Sequence, residues 1–150
     1  MGIELSQAEI DEYMLRASRT ILCISREGKA PLAVPMWFGW MERKIYISTL
    51  LASKKVGYVR ENPLVSCLVE SGEDYFTLKS VLLMGTCEVI DDQQQALHYG
   101  DQIFETKPLY KELFPDKLPP HLEKFYQLPR AILRITPHST TTWDFSKVRH

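Results

Sequence analysis

The sequence has no closely spaced cysteines: Cys23, Cys67 and Cys87 are far apart and odd in number. That excludes a CxxC zinc or redox motif and does not suit a secreted disulfide framework. A reducing compartment is expected, with the thiols acting as small core hydrophobes. Charge of one sign is missing too. Eighteen Lys and Arg against 19 Asp and Glu leave a net charge of −1, which argues against nucleic-acid binding through bulk electrostatics. No apolar run approaches the ~20 residues of a membrane span. The opening MGIELSQAEIDEYM places acids where a signal peptide needs an apolar core. The expectation is a cytoplasmic protein with neither a nucleic-acid nor a membrane partner. His98, His121, His138 and His150 lack metal-ligand spacing with one another, so no metal site is expected. Asp91-Asp92 read as helix-start charges rather than an acid pair. No catalytic triad, internal repeat or low-complexity segment is visible.

What is present is the material of one domain spanning residues 1–150. An apolar share of 45% in 150 residues supplies a core that needs neither disulfide nor structural metal. Ser6 and Glu9 form a capping-box pattern, and Ile10, Tyr13, Met14 and Ala17 share one face of a helix over residues 6–18. Thr20–Ser25 reads as a strand, and Pro31–Trp40 as its returning partner. Pro35 puts that partner at a sheet edge or marks a bulge. Lys44–Ser48 is a third strand, Ser53–Asn62 a helix stopped by Pro63, and Leu64–Glu70 a fourth strand. Tyr75–Ile90 reads as a long bent strand in which Gly85 marks a bulge or a close approach. A helix follows Asp91-Asp92, then a proline-interrupted irregular stretch over residues 107–120 and a short helix over 121–128. Arg130–Ile135 is the last strand, and Thr140–His150 a polar tail. Six short strands joined by tight turns indicate a mainly β protein, a closed antiparallel barrel with flanking helices.

The stretch KIYISTLLASKKVGYVRENP carries the chemistry. Ser48 and Thr49 end a strand, and Ser53, Lys54 and Lys55 open a helix. Hydroxyls, free N–H groups at a helix start and two ammonium groups together suit a phosphate. A solvated strand-turn-helix is the plain alternative. Adjacent helical residues diverge, so Lys55 is expected to make the direct contact and Lys54 a weaker one.

TLLASKK, followed by ENPLVSCLVE, VLLMGTCEVI around Gly85 and the late TTWDF, resembles in the same order the pyridoxamine 5′-phosphate oxidase-like split barrels. The resemblance covers about Thr20 to Phe145. It implies a six-stranded split β-barrel of Greek-key type and a homodimer with two FMN sites at the subunit interface; some relatives use a deazaflavin. By position, Ser48, Thr49, Ser53, Lys54 and Lys55 would hold the phosphate and ribityl end. Val34, Pro35, Met36 and Trp37 would run beside the isoalloxazine ring. Ser80 would lie near the ring, and Trp143 of the partner subunit would close the site. Aromatics are efficient apolar surface in such sites, whereas Phe38 reads as barrel core or dimer interface.

Two departures bear on the substrate. The oxidase carries a basic residue at each end of its second-strand motif, where this sequence reads AVPMWFG. It also ends in an Arg- and His-containing substrate segment, whereas this sequence ends soon after Trp143. A vitamin B6 phosphate would lose its anchors. The expected function is therefore a flavoprotein oxidoreductase acting on a small apolar or aromatic substrate. The alternatives are a deazaflavin-dependent reductase or a non-enzymatic flavin- or haem-binding module. No catalytic residue is assigned, since a flavin carries its own redox chemistry.

Overall fold

The computed structural model describes residues 2–149; His150 lies outside them. Helix α1 (Gln7–Arg16) precedes strands β1 (Thr20–Ile24), β2 (Leu32–Met36), β3 (Gly39–Met41) and β4 (Lys44–Leu50). Helix α2 (Lys54–Glu61), β5 (Leu64–Ser71) and β6 (Lys79–Ile90) follow. Three helices, α3 (Gln93–Thr106), α4 (Pro108–Leu113) and α5 (Pro120–Tyr126), then precede β7 (Arg130–Asp144). The capping box of α1 is formed, with Ser6 and Glu9 each accepting from the other's backbone N–H.

All strands belong to one antiparallel sheet ordered β2-β1-β5-β6-β7-β4-β3. Interior residues from both halves share one core: Leu22 and Ile24 of β1, Cys67 of β5, Leu83 of β6, Ile45 and Ile47 of β4, and Trp40 of β3. Strands so far apart in the order can meet only if the sheet curls into a split barrel. Its two edge strands are joined through Trp37 and Phe38 alone. Phe38 is fully buried there, as core. Helix α1 caps the interior through Ile10 and Met14. A second core under α3 gathers Tyr46, Ile90, Ala96, Ile103, Tyr110 and Ile132 on the outer face of β4 and β7.

The strand count is seven rather than six. The run Pro31–Trp40 is not one strand, because its first half pairs with β1 at one edge and Gly39–Met41 pairs with β4 at the other. Pro35 does lie on an edge strand, where its missing N–H costs no ladder bond. Gly39 sits where an added Cβ would come within 2.9 Å of Ile103 Cγ1, so its small size lets α3 approach. Glu42 and Arg43 both adopt positive φ, 54° and 58°, which suits the tight hairpin between β3 and β4.

The last strand runs nine residues beyond Ile135, so Thr140–Asp144 is sheet and not tail. At Gly85 a bulge absorbs His138, and an added Cβ would stand 2.1 Å from the Thr136 carbonyl oxygen. Both expected roles of Gly85 are thus present. Pairing with β4 has ended at Ile135, so Pro137 withdraws no donor from that neighbour. The stretch after Lys107 is more helical than expected, because Pro108 and Pro120 each occupy a first helical turn, where a missing N–H is harmless. Cys67 and Cys87 are buried in the barrel, and burial pushes both thiols up to about 12. Among the described residues no helix is long and apolar enough to cross a membrane.

Candidate functional site

Strand β4 leaves the sheet at Leu50 and turns sharply into α2. The Leu51 N–H bonds the Pro129 carbonyl at 3.0 Å, and the Ser53 N–H returns to Leu50 at 3.0 Å. The first bond pins the turn to the residue that precedes β7, and the second closes the turn on itself. Ser53 is the N-cap of α2, its hydroxyl accepting from the Lys55 N–H at 3.3 Å. Lys54 is exposed and Lys55 half-buried. Neither ammonium group has a carboxylate partner among the described residues, whereas Arg60, at the other end of the helix, is paired with Asp91 at 2.8 Å.

Ser48 and Thr49 lie on opposite faces of β4, as alternation in a strand requires. Thr49 follows Ile45 and Ile47 toward the barrel interior and is buried. Ser48 follows Tyr46 to the outer face, and its hydroxyl accepts from Arg130 Nε at 3.2 Å. Arg130 stands opposite Leu50 in the β4–β7 register. The Gln93 amide clamps its backbone, accepting from its N–H at 3.1 Å and donating to its carbonyl at 3.0 Å. The guanidinium carbon lies 5.7 Å from the centroid of the Tyr126 ring. Burial lowers the Arg130 pKa from its usual value, yet guanidinium remains a cation at any physiological pH. Sequence reasoning missed Arg130, since only strand register brings it beside Ser48; its place at the head of RAILRI was the one available signal.

Val34 and Met36 turn partly inward against the core, and Pro35 faces out. Trp37 leaves the sheet and stacks on Tyr110, with ring centroids 4.2 Å apart and an interplanar angle of 1°. Phe104 and Phe114 meet its ring edge-on. Trp37 is still 36% exposed, so part of its surface remains open.

Ser80 and Trp143 are paired across β6 and β7, and Ser80 is buried. They lie far from the cationic corner. Ser48 pairs with Ile132 and Ser80 with Trp143, so 143 − 132 = 11 residues of β7 separate the two groups. At ~3.3 Å per residue that is about 35 Å along the strand. One chain does not bring the two halves of the expected site together. Trp143 instead lines a cleft of about 600 Å³ with Ile3, Leu5 and Thr142. A cleft of about 670 Å³ between α1 and the β5–β6 turn holds Arg16, Glu70 and Lys79, and also excludes the corner. Lys79 places its ammonium group 4.8 Å from the Tyr13 ring centroid.

Another lysine is buried. Lys107, at the junction of α3 and α4, is 1% exposed. Its Nζ donates to the Ala17 carbonyl at 2.6 Å and to the Tyr110 hydroxyl at 3.4 Å, and sits 3.2 Å above the Phe38 ring centroid. That hydroxyl accepts from the Phe38 N–H at 2.9 Å and donates to the Ser18 carbonyl at 2.7 Å. Burial pulls the Lys107 pKa down to about 7. Among the described residues no group of three or more His, Cys, Asp or Glu side chains is placed to hold a metal.

The family model described as pyridoxamine 5′-phosphate oxidase matches residues 7–144. Among solved structures, the chain is similar to a conserved hypothetical protein from Mycobacterium tuberculosis. The two share 27% identity over 99% of this chain and 91% of the other, with a TM-score of 0.80. It is also similar to an FAD-binding protein from Mesorhizobium loti (20% identity, 92% of this chain and 94% of that one, TM-score 0.67). A third similar structure is an F420 reductase (18% identity, 87% and 94% coverage, TM-score 0.63). The last two likenesses establish a shared fold. No curated protein sequence matches.

Proposed function

The chain belongs to the pyridoxamine 5′-phosphate oxidase family, and from that premise we propose that it is an FMN-binding oxidoreductase acting on a small apolar or aromatic substrate. The observation that carries this reading is the cationic corner. Lys54 and Lys55 open α2 with no carboxylate partner among the described residues, a few positions after Ser48, whose hydroxyl accepts from Arg130 of the neighbouring strand. Unpaired cations, a helix N-terminus and a surface hydroxyl fit a phosphate monoester dianion. Similar structures include an FAD-binding protein and an F420 reductase, which supports a flavin-type cofactor.

Bound flavin supplies the hydride and electron transfer itself. The protein's part is to grip the phosphate, orient the ring and exclude water. Lys55, half-buried, makes the direct phosphate contact, and Lys54, exposed, adds a weaker field. The apolar Val34–Trp37 edge forms a wall beside the ring. Since one face of Trp37 is already stacked on Tyr110, this indole contributes a rigid surface more than a mobile lid. No basic side chain occupies Leu32–Phe38, which disfavours a phosphorylated substrate.

The active form in this reading is a homodimer. Ser80 and Trp143 lie too far from the corner of their own chain, and a second copy would supply them. Leu64 and Met84, 59% and 42% exposed on the barrel exterior, leave apolar surface for such a contact. Free cysteines, two of them buried, suit the reducing cytoplasm.

The test is reconstitution. Purified protein titrated with FMN should quench flavin fluorescence with one site per chain and sediment as a dimer. Nicotinamide-driven bleaching of the bound flavin should then be restored by an electron acceptor. A protein that ignores FMN, or a bound chromophore with a deazaflavin or haem spectrum, would sink the reading.

A further inference from the structure

Arg130 is partly buried, yet no carboxylate among the described residues pairs with it. Removing a cation from water without a counter-ion is costly, and such groups are normally paired. Its position is nevertheless tightly determined. The Gln93 amide holds the backbone on both sides, Ser48 takes the Nε proton, and the Tyr126 ring lies beside the guanidinium. The remaining guanidinium protons, on the two η nitrogens, have no acceptor among the described residues. Nε donation also decides what Ser48 can do. With one lone pair of its hydroxyl oxygen occupied by Arg130, the hydroxyl proton is free to point away and donate.

We propose that Arg130 and Ser48 act as a pre-set donor pair for the cofactor phosphate: the guanidinium edge gives two N–H groups, and Ser48 gives its O–H. This rests on the flavin-phosphate reading and names a contact that the sequence did not reveal. Ser48 and Arg130 belong to the two strand ends that flank the Leu51-Ala52 turn leading into α2, so in this proposal the phosphate is gripped from strand and helix together. A planar fork suits two oxygens of one phosphate better than an ammonium point charge does. Because its backbone and Nε are already held, little side-chain freedom is lost on binding.

The experiment compares FMN, riboflavin and inorganic phosphate as ligands of the full chain. Wild-type protein should bind FMN more tightly than riboflavin, with phosphate competing against FMN only. In Arg130→Gln, FMN affinity should fall about 10- to 100-fold, the range expected for lost charge-assisted hydrogen bonds. Riboflavin affinity should hold within about twofold, because only the phosphate contact is removed. Arg130→Lys should recover part of the loss, keeping charge without the fork. Ser48→Ala should weaken FMN severalfold, and the double variant should lose less than the sum of the two, as for residues acting together. If wild-type protein does not prefer FMN over riboflavin, the flavin-phosphate reading itself fails. If it does and Arg130→Gln keeps the preference, this inference is overturned and that reading survives. Equal losses for FMN and riboflavin would reduce Arg130 to a structural residue. Should Arg130→Gln unfold, Ser48→Ala decides alone: unchanged FMN affinity rejects the pair.

Discussion

Lys55 and Lys107 carry the same ammonium group into opposite surroundings. Lys55 stands half-buried at a helix start with nothing among the described residues to neutralise it. Lys107 is sealed at 1% exposure between a carbonyl, a hydroxyl and an aromatic face. The first keeps its charge available for something outside the fold. The second spends its donors on the fold, tying the helical insertion to the α1–β1 loop and to the crossover between the sheet edges. A lysine's role follows from what has already claimed its protons, and the contrast can be broken by experiment.

The largest expected effect is on stability. Lys107→Ala should cost about 3 kcal/mol, by emptying the space over Phe38 and stranding the Ala17 carbonyl. Lys55→Ala should change stability by less than about 0.5 kcal/mol, as for ordinary surface substitutions. Urea denaturation of both variants checks the pair, and comparable losses would erase the distinction.

Tyr110→Phe comes next, at about 2 kcal/mol, because one hydroxyl serves the Phe38 N–H, the Ser18 carbonyl and Lys107. Proteolysis should then nick the insertion before the barrel, a pattern that whole-chain unfolding would not produce.

A pH dependence of similar size follows. The folded Lys107 loses its proton near pH 7, whereas an unfolded lysine holds its own to about 10.4. Between those values the unfolded chain binds more protons, so stability should rise with pH, by about 2 kcal/mol from pH 7 to 9. Below about 7 both states are protonated, and this lysine adds no slope. Lys107→Met should flatten the rise, and a rise that persists would assign it to other groups.

At the other site the effect is on binding. Lys55→Ala should weaken FMN about 10-fold and Lys54→Ala less. An equal effect of the two would contradict the divergence of neighbouring helical side chains. Fluorescence titration reads both.

Local features of the fold were plain in the sequence. The capping box at Ser6 and Glu9, the helix opened by Ser53, the helix after Asp92 and the Gly85 bulge are each specified by a few neighbouring residues. The division of Pro31–Trp40 was not legible, because both halves are strand-like and only the curling of the sheet sends them to different edges. Nor was the continuation of β7, since the polar residues after Ile135 carry no apolar alternation and only their pairing with β6 makes them strand. At the candidate site the lysines and Ser53 were visible as a motif. Arg130, about 75 residues further along, entered only through the β4–β7 register, and the opposite facings of Ser48 and Thr49 through the pleat.

The family resemblance, most helices and strands and the cationic motif were therefore legible in the sequence alone, because hydrophobic period, caps and turn residues act over a few positions. Which cations remain unpaired, which hydroxyl faces outward and how far Trp143 lies from Lys55 were decided by tertiary structure. Those properties depend on pairings between residues remote in the chain, and local sequence does not encode them.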